Sequence, residues 1–122
     1  MSGAGRVRIV GADSIALSWG STIEIVRWMD VISVRSVRNH TEIVTRARTL
    51  KARCSMRSIV STLAEFDLVQ IRREVAVNGA SVHRLIGSGR HRLTAVLEGG
   101  ACVPVGREFQ RYVRARFTGV SV

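Results

Sequence analysis

The side chains with the clearest chemistry in this chain are its arginines. Eighteen of nineteen basic residues are arginine and only Lys51 is lysine, against nine carboxylates, for a net charge of +10. A guanidinium is a planar fork of donors that matches two phosphate oxygens or the O6/N7 edge of guanine. Nine basic and three acidic residues lie between Arg35 and Arg73, gathered at Arg46-Ala47-Arg48, Lys51-Ala52-Arg53 and Arg72-Arg73. Such clusters suit a polyanion, and nucleic acid is the first partner they imply. An acidic membrane surface or an acidic protein shares the same chemistry. Arginine inflated by a G+C-rich genome, serving only solubility, is the alternative account of the charge.

Catalytic chemistry has no comparable support. The chain contains no nucleophile elbow, no HExxH and no phosphate-binding loop, and Gly87-Ser88-Gly89 lacks the third glycine of a dinucleotide site. It reads instead as a tight turn. The carboxylates are scattered without a pair suited to acid/base work, and His40, His83 and His91 do not join Cys54 and Cys102 in a zinc spacing. We therefore expect no catalytic residue, metal, cofactor or small-molecule substrate, with a basic RNA-binding or nucleolytic protein as one alternative. Aromatic residues are only 5% of the chain and offer no stacking platform, so duplex DNA is preferred over single-stranded RNA. Trp19, Trp28, Phe66, Phe109 and Phe117 are expected in the core.

These residues must be held by a mostly β scaffold. Residues 1–13 read as a loose N-terminal arm with a short strand near 7–9, and residues 14–118 as one domain. Alternation and β-branching predict a hairpin from 15–19 and 22–26 over Gly20-Ser21, then strands at 31–37 and 41–49 around a turn at Arg38-Asn39-His40. Met56, Ile59, Val60, Leu63 and Ala64 form one helical stripe after Ser55, which stands where an N-cap belongs, giving a helix over 55–64. Strand pieces follow at 68–71 and 75–77. A hairpin at 82–86 and 91–97 and a short strand at 101–105 complete the β part. Phe109, Tyr112, Val113 and Phe117 then predict a C-terminal helix over 107–117, stopped by Gly119.

A chain of 122 residues with 46% hydrophobic content is expected to fold around a single core. No apolar run is long enough for a membrane span, and the start has no signal-peptide core. A cytoplasmic protein with reduced cysteines is the expectation that follows.

Three segments together resemble the LytTR family of bacterial DNA-binding domains. Phe66-Asp67-Leu68-Val69-Gln70-Ile71-Arg72-Arg73-Glu74-Val75-Ala76-Val77-Asn78 is similar to the family's Phe-x-Arg-Val-His-Arg-Ser-Tyr-Leu-Val-Asn. Upstream, Val31-Ile32-Ser33-Val34 with Asn39-His40-Thr41 resembles its strand and Asn-Tyr-Thr/Val turn. Downstream, Val103-Pro104-Val105-Gly106-Arg107 resembles its Leu-Pro-Val-Ser-Arg. The resemblance spans residues 15–117 and implies an elongated β-rich fold of small antiparallel sheets with one or two helices. It implies a transcriptional regulator that places loops in two successive major grooves and binds promoter direct repeats, monomeric when free and paired on DNA.

By position, the resemblance puts base contacts at Arg73 and Arg107, with His40 and Asn39 in the first recognition loop. Arg38, Arg46, Arg48, Lys51, Arg53 and Arg72 are the phosphate candidates. Arg73 has a structural alternative, a surface ion pair with Glu74 or Asp67, and Asn78 reads as a turn residue rather than a contact. Where the family has His-Arg-Ser this chain has Arg72-Arg73-Glu74, and Glu74 would repel phosphate unless it pairs with Arg72. Gly106 replaces a serine. Such domains usually follow a receiver or membrane sensor, and neither is in the chain: either the sensor has been removed, or a separate sensor or inhibitor protein controls the domain. An antagonist role, pairing with another LytTR regulator, is the remaining alternative.

Overall fold

A computed structural model describes residues 6–90 and 92–119. Eleven strands, in the order β1 (Arg6–Val10), β2 (Ser14–Trp19), β3 (Thr22–Arg27), β4 (Val31–Val37), β5 (His40–Thr45), β6 (Thr49–Ala52), β7 (Leu68–Arg72), β8 (Val75–Asn78), β9 (Val82–Gly87), β10 (Leu93–Leu97) and β11 (Cys102–Pro104), are joined by helices α1 (Met56–Thr62) and α2 (Gln110–Thr118). They form three antiparallel sheets, β1-β2-β3, β6-β5-β4-β8-β7 and β11-β10-β9. The fold is mainly β with two helices, as the sequence implies.

The hydrophobic interior is divided rather than single. Alternate residues of a strand face opposite sides of its sheet, so the strands of the five-stranded sheet feed two clusters at once. Val34, Ile43, Leu68 and Ala76 pack on one side against Ile15, Leu17 and Val26 of the first sheet and Met56 and Ile59 of α1. Val69, Ile71 and Val77 pack on the other against Leu93, Ala95 and Leu97 of β10 and Val113 of α2. The expectation of one core missed this because composition counts apolar residues without saying which face carries them.

Several local expectations shift for identifiable reasons. Part of the expected arm is a paired strand: Arg6–Val10 is in register with β2 from Arg6–Ser18 to Val10–Ser14. Residues 1–5 lie outside the described residues, as does His91, expected to open a strand. The single strand expected over 41–49 is two strands, because Thr45 Oγ1 accepts from the Arg48 amide at 3.0 Å and donates to its carbonyl at 2.7 Å, folding the chain back. Ser55 caps α1 by accepting from the Ser58 amide at 3.0 Å, but the helix ends at Thr62 and Ala64 is exposed. Residues 107–109 form a 3-10 turn ahead of α2, which closes on Gly119 at φ +72°. Trp28 and Phe66 pack at 5.2 Å between ring centroids, yet Trp19 ends β2 with 43% of its surface exposed. Tyr112 likewise leaves the helical stripe for solvent.

Asn78 is a structural residue. Its amide donates to the carbonyls of Trp28 and Val31 at 3.0 Å each, and its Oδ1 accepts from the Ala80 amide at 3.0 Å, all at 2% exposure.

Candidate nucleic-acid interface

Register brings the motif turns together at one end of the five-stranded sheet. β4 runs toward Val37, which pairs with His40, and its Arg35 faces Val75, the first residue of β8. The β4–β5 turn and the β7–β8 turn are therefore neighbours. The Ser36 amide ties them beyond the last strand pair by donating to the Glu74 carbonyl at 2.8 Å. β6 ends at Ala52, opposite Thr41, so Arg53 leaves the sheet at the same end. Thr41 Oγ1 fixes that exit by donating to the Cys54 carbonyl at 2.5 Å.

Arg107 arrives here through Gly106. The Gly106 amide donates to the Ile71 carbonyl at 2.7 Å, and a Cβ on residue 106 would sit 3.2 Å from the Phe109 ring and 3.5 Å from that carbonyl oxygen. The missing side chain lets the segment lie against β7. Arg73 Nε stands 4.0 Å from Glu108 Oε1, next in the chain to Arg107. Motifs more than thirty residues apart in sequence thus meet as adjoining turns.

The tip of the β4–β5 turn is Arg38, held at φ +52°, a left-handed conformation that costs a non-glycine residue roughly 1 kcal/mol. Arg38, Asn39, His40 and Arg53 line one shallow groove with Ser55 and Met56. A second groove, sharing Met56, is lined by Arg73, Gln70 and Arg57 of α1. Arg57 did not stand out in the sequence. The signal was present, since Met56 and Ile59 point inward from a capped helix and leave residue 57 on its open face.

Charge at this end is arranged asymmetrically. Glu42 is bound by Arg35 at 2.7 Å and faces His40 Nε2 at 3.5 Å, and the Arg35 hydrogen bond holds its carboxyl below the usual carboxylate range. His40 is accordingly half-buried and turned toward a carboxylate. Glu74 takes Arg72 at 3.3 Å, the pairing that relieves repulsion of phosphate, and Arg72 also donates to the Pro104 carbonyl at 3.2 Å. Arg72 thereby bridges two sheets. Arg73 pairs with neither Glu74, which takes Arg72, nor Asp67, which takes Arg116. Among the described residues no carboxylate lies within 4 Å of Arg38, Arg53, Arg57 or Arg107. Each carboxylate nearby is already engaged while these four guanidiniums are not.

Arg46 and Arg48 are placed elsewhere. They sit in the β5–β6 turn at the opposite end of the sheet, not on a strand face. Arg46 binds Glu98 at 2.5 Å and lies 4.0 Å from Asp30, and Arg48 binds Glu24. Lys51 is exposed on β6, paired in register with Glu42. Among the described residues no group of three metal-ligating side chains converges, and no helix is long and apolar enough to cross a membrane.

No curated protein matches the chain closely enough to count as a relative. Among solved structures the fold is similar to the LytTr DNA-binding domain assigned to a methyl-accepting/DNA response regulator of Bacillus cereus, with a TM-score of 0.75 at 16% identity over 90% of this chain and 100% of that one. The family model of the LytTr DNA-binding domain matches residues 21–118. That match takes in all three converging motifs and more than half of the chain, and the chain belongs to the LytTR family of DNA-binding domains.

Proposed function

We propose that this protein is a cytoplasmic, bacterial transcriptional regulator that reads double-stranded DNA in sequence-specific fashion through the arginine-bearing end of its central sheet. The observation that carries the reading is the convergence there of four guanidiniums without a carboxylate partner, two of them beside the turns of Arg73 and Asn39. In this reading Arg73, Arg107, Asn39 and His40 face base edges from two loops in successive major grooves. Arg38, Arg53 and Arg57 hold the intervening phosphates. Arg72 acts mainly by fixing the turn that presents Arg73. Two copies occupy direct repeats, and the free protein is monomeric.

Selection of bound sequences from random duplexes, followed by a salt titration, tests this. A single enriched motif is expected, repeated in direct orientation. With about six phosphates neutralised, log affinity falls against log salt with a slope near roughly −5. Enrichment of no motif, or tighter binding to single-stranded RNA at the same salt, would overturn the reading.

The far-end pair supplies a contrast. Arg46→Ala and Arg48→Ala are expected to leave duplex affinity within about twofold at physiological salt, since screening over about 8 Å removes the influence of charges remote from the phosphates. Electrophoretic mobility shifts on the selected site check it. A loss equal to that of Arg53→Ala would place the β5–β6 turn on DNA.

A further inference from the structure

The outer face of the first sheet carries side chains that neither core cluster nor the arginine-bearing end uses. Register sets three rows across β1, β2 and β3: Arg6, Ser18 and Ile23; Arg8, Ala16 and Ile25; Val10, Ser14 and Arg27. The middle column is small throughout. It floors a trough with Arg6, Arg8 and Val10 on one side and Ile23, Ile25 and Arg27 on the other. Ile23 is 61% exposed and Ile25 57%, whereas Ala16 between the walls is 2% exposed.

The charge on this face has one sign. None of the nine positions is a carboxylate, and among the described residues no carboxylate lies within 4 Å of Arg6, Arg8 or Arg27. Asp13, at one end of the trough, accepts from Ser14 Oγ at 3.1 Å. Scattered exposed isoleucines are ordinary, but adjacent ones on an edge strand beside unpaired arginines mark a contact surface. Phosphates would use the arginines and gain nothing from the isoleucines. A second copy would bring arginine against arginine on a chain already at +10. A partner that satisfies both walls sets carboxylates across from apolar groups, the two exchanging sides at the Val10–Arg27 row.

We propose that this trough docks an acidic, amphipathic segment of another protein, with its carboxylates on Arg6, Arg8 and Arg27 and its apolar side chains on Ile23, Ile25 and Val10. The inference does not depend on which DNA end or sequence the protein reads.

The full chain is titrated with two labelled acidic peptides, one alternating Glu and Leu and one with Leu at helical spacing, beside an all-Glu peptide and phosphatidylglycerol vesicles. One Leu-containing peptide is expected to bind, and Arg8→Glu and Ile25→Asp each to weaken it by about tenfold. Both substitutions are at exposed positions, so thermal melting and duplex affinity should stay as in the parent and report intact folding. The proposal fails if neither Leu-containing peptide binds, if the all-Glu peptide binds as well, or if both variants bind like the parent. It fails equally if vesicles capture the protein while the peptides do not, or if sedimentation shows a dimer that Ile25→Asp dissolves.

Discussion

Arg73→Ala and Arg107→Ala are each expected to lower affinity for the selected duplex by about 5- to 150-fold, the loss of one bidentate guanine contact worth roughly 1–3 kcal/mol. On random duplexes the same variants should lose far less, because a base contact carries sequence information and a phosphate contact does not. Arg53→Ala should weaken both duplexes alike. Arg73 also engages Glu108, so removing it frees a carboxylate beside Arg107. The double variant is therefore expected to fall short of, or exceed, the sum of the single losses by a measurable coupling term, as groups that share a partner do. Competition binding against selected and random duplexes measures all of this, and equal losses on both by Arg73→Ala and Arg107→Ala would remove them from the bases.

The largest effect on stability is expected at Asn78. Replacing it with alanine deletes three hydrogen bonds, takes this donor from the buried Val31 carbonyl and leaves the Trp28 carbonyl only the Val31 amide, at a cost of roughly 2–4 kcal/mol. Asn78→Asp keeps the acceptor for Ala80 but turns an oxygen toward the two carbonyls. A buried ionised carboxylate there should be worse than alanine at pH 7 and should recover on acidification, as protonation restores a donor. Urea denaturation at two pH values reads both. An unchanged midpoint for Asn78→Ala would show that these bonds contribute nothing net.

Much of this was legible in one dimension because it rests on local rules. Alternation located the strands around Ile15, Ile43 and Val75, and the i, i+3, i+4 stripe with Ser55 located α1. Motif order singled out Arg73 and Arg107, whose segments the fold sets side by side. Lost to sequence was whatever depends on a partner far along the chain. Arg46 and Arg48 look like their neighbours Lys51 and Arg53, yet a hydroxyl hydrogen bond at Thr45 sends them to the opposite end of the sheet, where Glu98 and Glu24 bind them. His40 reads as a base-contact candidate in a turn, and only the fold shows Glu42, bound by Arg35, beside its ring. Trp19 is apolar enough for a core, but it ends a hairpin strand with 43% of its surface exposed. Arg57 is the converse, one more helix arginine in sequence whose significance lies in the groove it shares with Arg73.

The division of the interior by the five-stranded sheet bears on how the molecule comes apart. Two separate clusters in one chain usually suggest a seam along which one half opens while the other persists. Here Leu68 and Val69, or Ala76 and Val77, are successive residues of one strand that serve opposite clusters. Neither cluster can dissolve without unmaking the backbone ladder that supports the other. Unfolding is thus expected as a single cooperative event, with hydrogen exchange reading the amides of β4 and β8, inside the sheet, as the last to exchange and as exchanging together. The turns that carry Asn39, Arg73 and Arg107 leave the ends of a ladder locked from both faces, so a small basic domain presents a stiff edge to its partner and spends little ordering entropy on binding.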